Sequence, residues 1–133
     1  MAGPGPDKDV HISLEDQQKI NKFARHNQRL EDIKDDMKQK EGELVTLGDA
    51  SNDVEEFSLT ADNGDKIPFM VGEILVKETP DDVLALLDTK KTEVKAEIKV
   101  LEEQATAIKG VMSDLKTHLY AKFGDAINLE ADD

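Results

Sequence analysis

The chain has 133 residues, a length that fits one domain. Of these, 38% are hydrophobic, 35% charged and only 4% aromatic, which is too little apolar material for a large globular core. Its formal net charge of −13 disfavours nucleic acid and anionic membranes as partners, and a basic or an unfolded polypeptide fits better. There is no cysteine and no apolar run of the ~20 residues that cross a bilayer, so we expect a cytoplasmic protein, with the nucleus as an alternative.

A first long helix is predicted at residues 13–56, after a disordered lead-in at residues 1–12 that contains two Gly-Pro pairs. Ser13 and Asp16 form a capping-box pattern, in which each side chain can bond the backbone N–H of the other. Apolar residues then recur at heptad spacing along one seam (Phe23, Leu30, Ile33, Met37, Leu44, Leu47 and Val54). Two glycines, Gly42 and Gly48, lie off this seam and therefore leave no holes in the packing face.

Between residues 57 and 79 the pattern changes to a β-branched, apolar run that is typical of strands. Gly72-Glu73 fits the two-residue type II′ turn, in which glycine comes first. This turn would pair Ile67–Val71 with Ile74–Lys77 as a β-hairpin. A two-stranded hairpin is marginal alone in water, and its unpaired edges favour pairing with strands of other chains.

A rival hairpin around Asn63-Gly64 would pair residues 57–60 with residues 66–70, and the residue pattern alone leaves both hairpins open. In either case the central segment is predicted to be the oligomerisation surface, because its apolar residues cannot all point to one side of a two-stranded sheet. The predicted oligomerisation residues are Ile67, Phe69, Val71, Gly72, Ile74, Leu75 and Val76.

A second long helix is predicted at residues 80–123, with Thr79 as its cap, Pro80 in its first turn and Gly124 after its end. Its seam alternates steps of three and four residues (Leu84, Leu87, Lys91, Val94, Ile98, Leu101, Ala105, Ile108, Met112, Leu115 and Leu119). This period of 3.5 residues predicts a coiled coil. The first helix can fold back as the antiparallel partner, and residues 125–133 follow as an acidic tail.

Antiparallel pairing brings the start of the first helix and the end of the second together, at what we call the tip. Its apolar residues are Ile20, Phe23, Ala24, Leu115, Leu119, Tyr120 and Phe123. We expect that two helices cannot bury all of these tip residues, which would leave a site for loosely specified apolar segments. The alternative is that the aromatic residues simply cap the coiled coil.

Four stretches of the sequence resemble β-class subunits of the prefoldin family: Asp16–Arg25, Ile67–Phe69, Leu119–Gly124 and Ile127–Ala131. The resemblance implies a hexamer in which this chain joins two α-class and three further β-class subunits through their hairpins. It also implies that the coiled-coil tips bind non-native polypeptides, actin and tubulin above all. The clients would then be delivered to the cytosolic chaperonin without ATP. A single hairpin is the β-class pattern and favours the Gly72-Glu73 turn.

No pattern in the sequence predicts an enzyme, a cofactor or a metal site. Three histidines, His11, His26 and His118, have no cysteine to complete a soft metal site. Residues 62–65 contain two aspartates around a glycine, but the spacing of a calcium loop would put Leu59 at its first ligand position. The alternative to a chaperone subunit is a structural coiled coil, a tether or scaffold that binds one folded partner.

Overall fold

The computed structural model describes residues 12–60, 65–71 and 74–129, and for residues 68–71 and 74–76 the backbone alone. The elements in chain order are helix α1 (Leu14–Thr60), strands β1 (Ile67–Val71) and β2 (Ile74–Glu78), helix α2 (Pro80–Phe123) and a 3-10 turn (Gly124–Ala126). The predicted mainly α fold, with two long helices joined by one β-hairpin, is thus confirmed. Of the lead-in expected to be disordered, residues 1–12, residues 1–11 lie outside the described ranges.

Helix α1 extends to Thr60, four residues past the predicted end at Glu56. The last turn is closed by hydroxyl groups: Ser58 Oγ donates to the Glu55 carbonyl at 2.7 Å and Thr60 Oγ1 donates to the Phe57 carbonyl at 3.2 Å. The second bond supplies a donor to a carbonyl of the last four helical residues, which lack an N–H partner within the helix. The rival hairpin was therefore wrong, because its first strand, residues 57–60, is helical.

The two strands pair antiparallel in the register expected from the favoured turn. Val71 lies opposite Ile74, Phe69 opposite Val76 and Ile67 opposite Glu78. Strand β2 is one residue longer than predicted. Residues 72 and 73, on which the type II′ turn was predicted, lie outside the described residues.

Helix α2 starts where its capping residues indicate. The Thr79 hydroxyl accepts a hydrogen bond from the Asp82 N–H at 3.3 Å, and the Thr79 carbonyl accepts one from the Val83 N–H at 2.9 Å. Both bonds satisfy groups of the first helical turn. No helix in the described ranges has an apolar stretch that could span a membrane.

The chain divides into two compact units. Residues 36–101 form the hairpin unit, and residues 1–35 together with residues 102–133 form the terminal unit. In the hairpin unit, Val54 of α1 and Val83 and Leu87 of α2 are buried as one cluster. The residues packed against this cluster are Leu47, Ala50, Ile67 and Leu84, so strand β1 contributes to the same core.

The core of the terminal unit consists of seam residues from both helices: Phe23, Leu30, Ile33, Ala105, Met112 and Leu119. Every apolar position of the two predicted seams is buried or half-buried in its unit. The glycines of α1 do lie off the seam, since a Cβ added at Gly42 or Gly48 would meet no atom within 4 Å. The heptad period therefore predicted correctly which face of each helix is covered.

Candidate functional site

The predicted tip lies within the terminal unit, where α1 begins. The Ser13 hydroxyl accepts a hydrogen bond from the Asp16 N–H at 3.0 Å, and Asp16 Oδ2 accepts one from the Ser13 N–H at 3.3 Å. This reciprocal pair is the capping box that the sequence predicts. It fixes the first turn of α1 and holds the Asp16 carboxylate in one orientation.

The Asp16 carboxylate is 2% exposed and is bound by a residue from the other helix. Lys122 Nζ lies 2.7 Å from Asp16 Oδ2, close enough for an ion pair and a hydrogen bond. The pKa of Asp16 falls from 3.8 to about 2, chiefly because of the hydrogen bond with Lys122. Burial of the carboxylate opposes this fall, and the bonds with Ser13 add to it. Asp16 is therefore ionised at neutral pH and ties α1 to α2 in this unit.

The sequence contains a signal for this ion pair that heptad counting on apolar residues alone misses. Asp16 lies seven residues before Phe23 and Lys122 three residues after Leu119, so both continue the seams of their helices. A second polar contact follows one turn away, where Lys19 Nζ lies 2.9 Å from His118 Nε2. Two polar contacts thus join the two helices at this end of the unit.

The seven predicted tip residues differ in exposure. Phe23 and Leu119 are buried, at 1% and 0% exposed, and the other five are not fully buried. Both are seam residues, so the opposite helix covers them. The half-buried tip residues are Ile20, Leu115, Tyr120 and Phe123, and Ala24 is exposed. The accessible apolar surface of the tip therefore belongs to Ala24 and the half-buried residues, and of these Leu115 is the seam position.

The acidic tail begins with local structure of its own. Gly124 has a φ of +58°, a left-handed conformation that favours glycine, and it opens the 3-10 turn Gly124–Ala126. The chain then turns back, and the Leu129 N–H donates a hydrogen bond to the Tyr120 hydroxyl at 3.2 Å. A tip residue is thus already bound by the tail of the same chain, which the sequence analysis did not anticipate.

The hairpin unit contains the predicted oligomerisation residues. Ile67 is half-buried and packs on the apolar cluster of the helices. Phe69, Val71, Ile74, Leu75 and Val76 lie in the paired strands, and Gly72 lies outside the described residues. Within the described residues the sheet has two strands only, so each strand has one hydrogen-bonded neighbour.

Two of the three histidines fall in the described ranges. His26 Nδ1 lies 2.9 Å from the Lys22 carbonyl, and His118 contacts Lys19 as described above. In these ranges no three His, Cys, Asp or Glu side chains come together in a way that could hold a metal ion.

Comparison with known proteins identifies the family. A family model described as prefoldin subunit matches residues 17–126. The crystal structure of the prefoldin beta subunit from Thermococcus strain KS-1 has the same fold, with a TM-score of 0.71, 18% sequence identity, and 86% of this chain and 96% of that chain covered. The chain belongs to the prefoldin family, which supports a co-chaperone role with other prefoldin subunits as partners.

Within the family, the chain closely resembles prefoldin subunit 4. The probable prefoldin subunit 4 of Drosophila melanogaster is 43% identical over 125 residues, which cover 94% of this chain and 88% of that protein. Prefoldin subunit 4 of Homo sapiens is 39% identical over 126 residues, with 95% and 92% covered. Prefoldin subunit 4 of Saccharomyces cerevisiae is 31% identical over 126 residues, with 95% of each covered.

Proposed function

We propose that this chain is a β-class subunit of a cytoplasmic prefoldin hexamer of two α-class and four β-class subunits. The hexamer would hold non-native polypeptides, actin and tubulin among them, and pass them to the cytosolic chaperonin without ATP. The observation that carries the proposal is that this prefoldin-family chain has two surfaces on which another polypeptide could bind. One is a two-stranded sheet, and the other is a set of half-buried aliphatic and aromatic side chains in the terminal unit.

The sheet supports assembly. Each strand of the described hairpin has one unpaired edge, and a lone hairpin is only marginally stable in water. Strands from neighbouring subunits would pair with these edges and cover the apolar residues of the hairpin. Because Ile67 packs against the apolar cluster of both helices, the position of the hairpin in the hexamer would also determine the orientation of the helix segments that contain this cluster.

The tip residues support client binding. Ile20, Tyr120 and Phe123 are each only half-buried, so they offer apolar and aromatic surface without exposing the core residues Phe23 and Leu119. Such contacts are weak for one subunit. Several subunits that contact one client chain raise the effective concentration of each further contact, so weak sites combine into retention while release remains possible.

The client site is tested by substitutions that spare the core. We expect a hexamer containing Ile20→Ser and Phe123→Ser to suppress the aggregation of denatured actin less well than the unmodified hexamer, in a light-scattering assay. The matched control is Val45→Ser, an exposed apolar residue of the hairpin unit at 65% exposure. Equal suppression of aggregation by all three hexamers would contradict client binding at the tip. It would favour the alternative function, a structural coiled coil that binds one folded partner, with which the burial of Phe23 and Leu119 also agrees.

The platform is tested separately. Replacing Ile74 and Val76 by Asp should leave both helices formed, as measured by circular dichroism, yet prevent entry into the hexamer, as measured by native mass spectrometry after co-expression. Charged residues would have to be buried between strands of adjacent subunits, which is costly without a partner. Val100→Asp, at an exposed helix position of the same unit, serves as the control. Co-purification of the hairpin variant at full stoichiometry would refute the assigned surface.

A further inference from the structure

The helix ends that carry the tip residues have a charge opposite to that of the chain. Residues 14–30 contain four Lys or Arg residues against two acidic ones, and residues 115–123 contain two lysines and no acidic residue. The whole chain carries a formal net charge of −13. The helix segments that carry the apolar tip residues thus have a net positive charge, and Lys22 and Arg25 among their cationic residues are exposed.

The tail has the complementary composition. Residues 124–133 contain four acidic residues and no basic one, with Ile127 and Leu129 as the aliphatic residues. After the 3-10 turn, Ile127 adopts an extended backbone (φ −131°, ψ 143°), and both Ile127 and Leu129 are half-buried. The N–H of Leu129 donates to the Tyr120 hydroxyl, nine residues back along the chain. An extended segment with two aliphatic residues, 127–129, therefore already lies against a tip residue, and three of the four residues that follow it in the sequence are acidic.

We propose that the tip prefers client segments that are extended, alternate aliphatic residues and carry acidic residues nearby in sequence, and that residues 127–129 are the internal occupant of this site. The tail would compete with clients for the tip. This inference rests on the proposed function, since it names the class of segment that the tip binds and the element that regulates access to it.

The contact with Tyr120 explains how such a site can accept many sequences. The phenol oxygen accepts a backbone N–H, which nearly every residue of every client provides, so this bond selects an extended backbone rather than a side chain. In an extended segment, residues two apart such as Ile127 and Leu129 point to the same side, so both can contact an apolar surface. The cationic residues around the tip then favour segments with acidic residues over basic ones.

Competition is tested by truncation. A hexamer in which this subunit ends at Ala126 should bind a fluorescein-labelled peptide of residues 127–133 about 2- to 10-fold more tightly than the full hexamer does. This range follows because a tethered tail acts at an effective concentration of order mM, comparable to the weak affinity of one such contact. Anisotropy titration measures the difference, and raising the NaCl concentration should weaken binding to the truncated hexamer through screening.

Two peptide variants separate the apolar from the acidic contribution. The first peptide has Asn in place of Ile127 and Leu129. The second has Gln in place of Glu130 and Asn in place of Asp132 and Asp133. Each should bind the truncated hexamer several-fold more weakly than the unmodified peptide does. In the full-length subunit, Tyr120→Phe removes the acceptor oxygen and keeps the ring. It should therefore raise amide hydrogen exchange at residues 127–129 and raise peptide affinity toward that of the truncated hexamer.

Equal peptide affinity for the full and the truncated hexamer would overturn the inference, as would unaltered exchange of the tail in the Tyr120→Phe variant. These results are distinct from a failure of the proposed function. If the tail does not compete but Ile20→Ser with Phe123→Ser still impairs suppression of actin aggregation, the tip is a client site without an internal occupant. If the tip substitutions leave suppression intact while the peptide still binds the truncated hexamer, the tail has a docking site that clients do not use.

Discussion

The hairpin unit and the terminal unit are built from the same two helices but are closed by different interactions. In the hairpin unit, Val54 and Val83 are covered by residues that include Ile67 of strand β1, so apolar packing continues to the sheet. In the terminal unit, the seam continues past its last apolar residues to the Asp16–Lys122 ion pair. An apolar pair tolerates sliding, whereas an ion pair whose carboxylate is 2% exposed and whose lysine is 48% exposed favours one geometry and can fix the register of two helices.

The largest expected effect comes from removing core side chains, one in each unit. Leu87→Ala and Leu119→Ala truncate residues that are 1% and 0% exposed, so each should destabilise the protein by about 2–5 kcal/mol. Hydrogen exchange followed by mass spectrometry should show faster exchange chiefly in the unit that carries the change. Val45→Ala, at an exposed position, is the control. If either substitution accelerates exchange equally in both units, the two units are not separately stabilised and the comparison fails.

The next effect concerns the polar closure of the terminal unit. The pKa of Asp16 is about 2 in the folded chain against an ordinary 3.8. Because folding lowers this pKa, its stabilisation is fully present above a pH of about 4 and is lost as the pH falls toward 2. A carbon-detected NMR titration should find the Asp16 midpoint near 2, and Lys122→Met should raise that midpoint toward 3.8. A midpoint near 3.8 in the unmodified chain would mean that the ion pair does not form.

Backbone conformation gives a smaller pair of effects with opposite signs. Gly42→Ala fills open space inside a helix of the hairpin unit and should stabilise the chain by about 1 kcal/mol, through the higher helix propensity of Ala. Gly124→Ala places a side chain at a φ of +58° in the terminal unit and should destabilise it by about 1–2 kcal/mol. Thermal unfolding of the two variants measures both. The conformational argument is wrong if both substitutions shift the midpoint in the same direction.

Much of this fold follows from local patterns in the sequence. The heptad seams predict which helix faces are buried, and the Ser13–Asp16 pattern predicts a capping box that the structure contains. The favoured turn predicts the strand register, from Val71 opposite Ile74 onward. These features succeed because each depends on residues close together in the chain or on a single period.

The features that the sequence patterns leave open depend on partners that are distant in the chain. The sequence indicates that two helices cannot bury all seven tip residues, but it does not say which of them are buried. It predicts Asp16 as a capping residue, but not the bond of Asp16 to Lys122 of the other helix. The Leu129–Tyr120 bond depends on a turn and one tertiary contact, for which no sequence period exists.

The smallest expected effect is at the ion pair of the hairpin unit, where Lys40 Nζ lies 2.7 Å from Glu97 Oε2. Their mutual hydrogen bond lowers the pKa of Glu97 and raises that of Lys40, against the opposing effect of burial. Both side chains keep substantial exposure, 25% for Lys40 and 45% for Glu97, so water and salt screen their attraction. Glu97→Gln, which keeps an acceptor and removes the charge, should therefore change exchange in the hairpin unit only slightly.

The matched substitution in the terminal unit is Asp16→Asn, which also keeps an acceptor and removes a charge. It should loosen the first turn of α1 clearly more than Glu97→Gln loosens its surroundings, because the carboxylate of Asp16 is 2% exposed and that of Glu97 is 45% exposed, while the lysine of each pair keeps contact with water, at 48% exposed for Lys122 and 25% for Lys40. Addition of 1 M NaCl should abolish the effect of Glu97→Gln first. Equal effects at both sites would show that burial does not separate the two ion pairs, and the terminal unit would then need another explanation for its closed end.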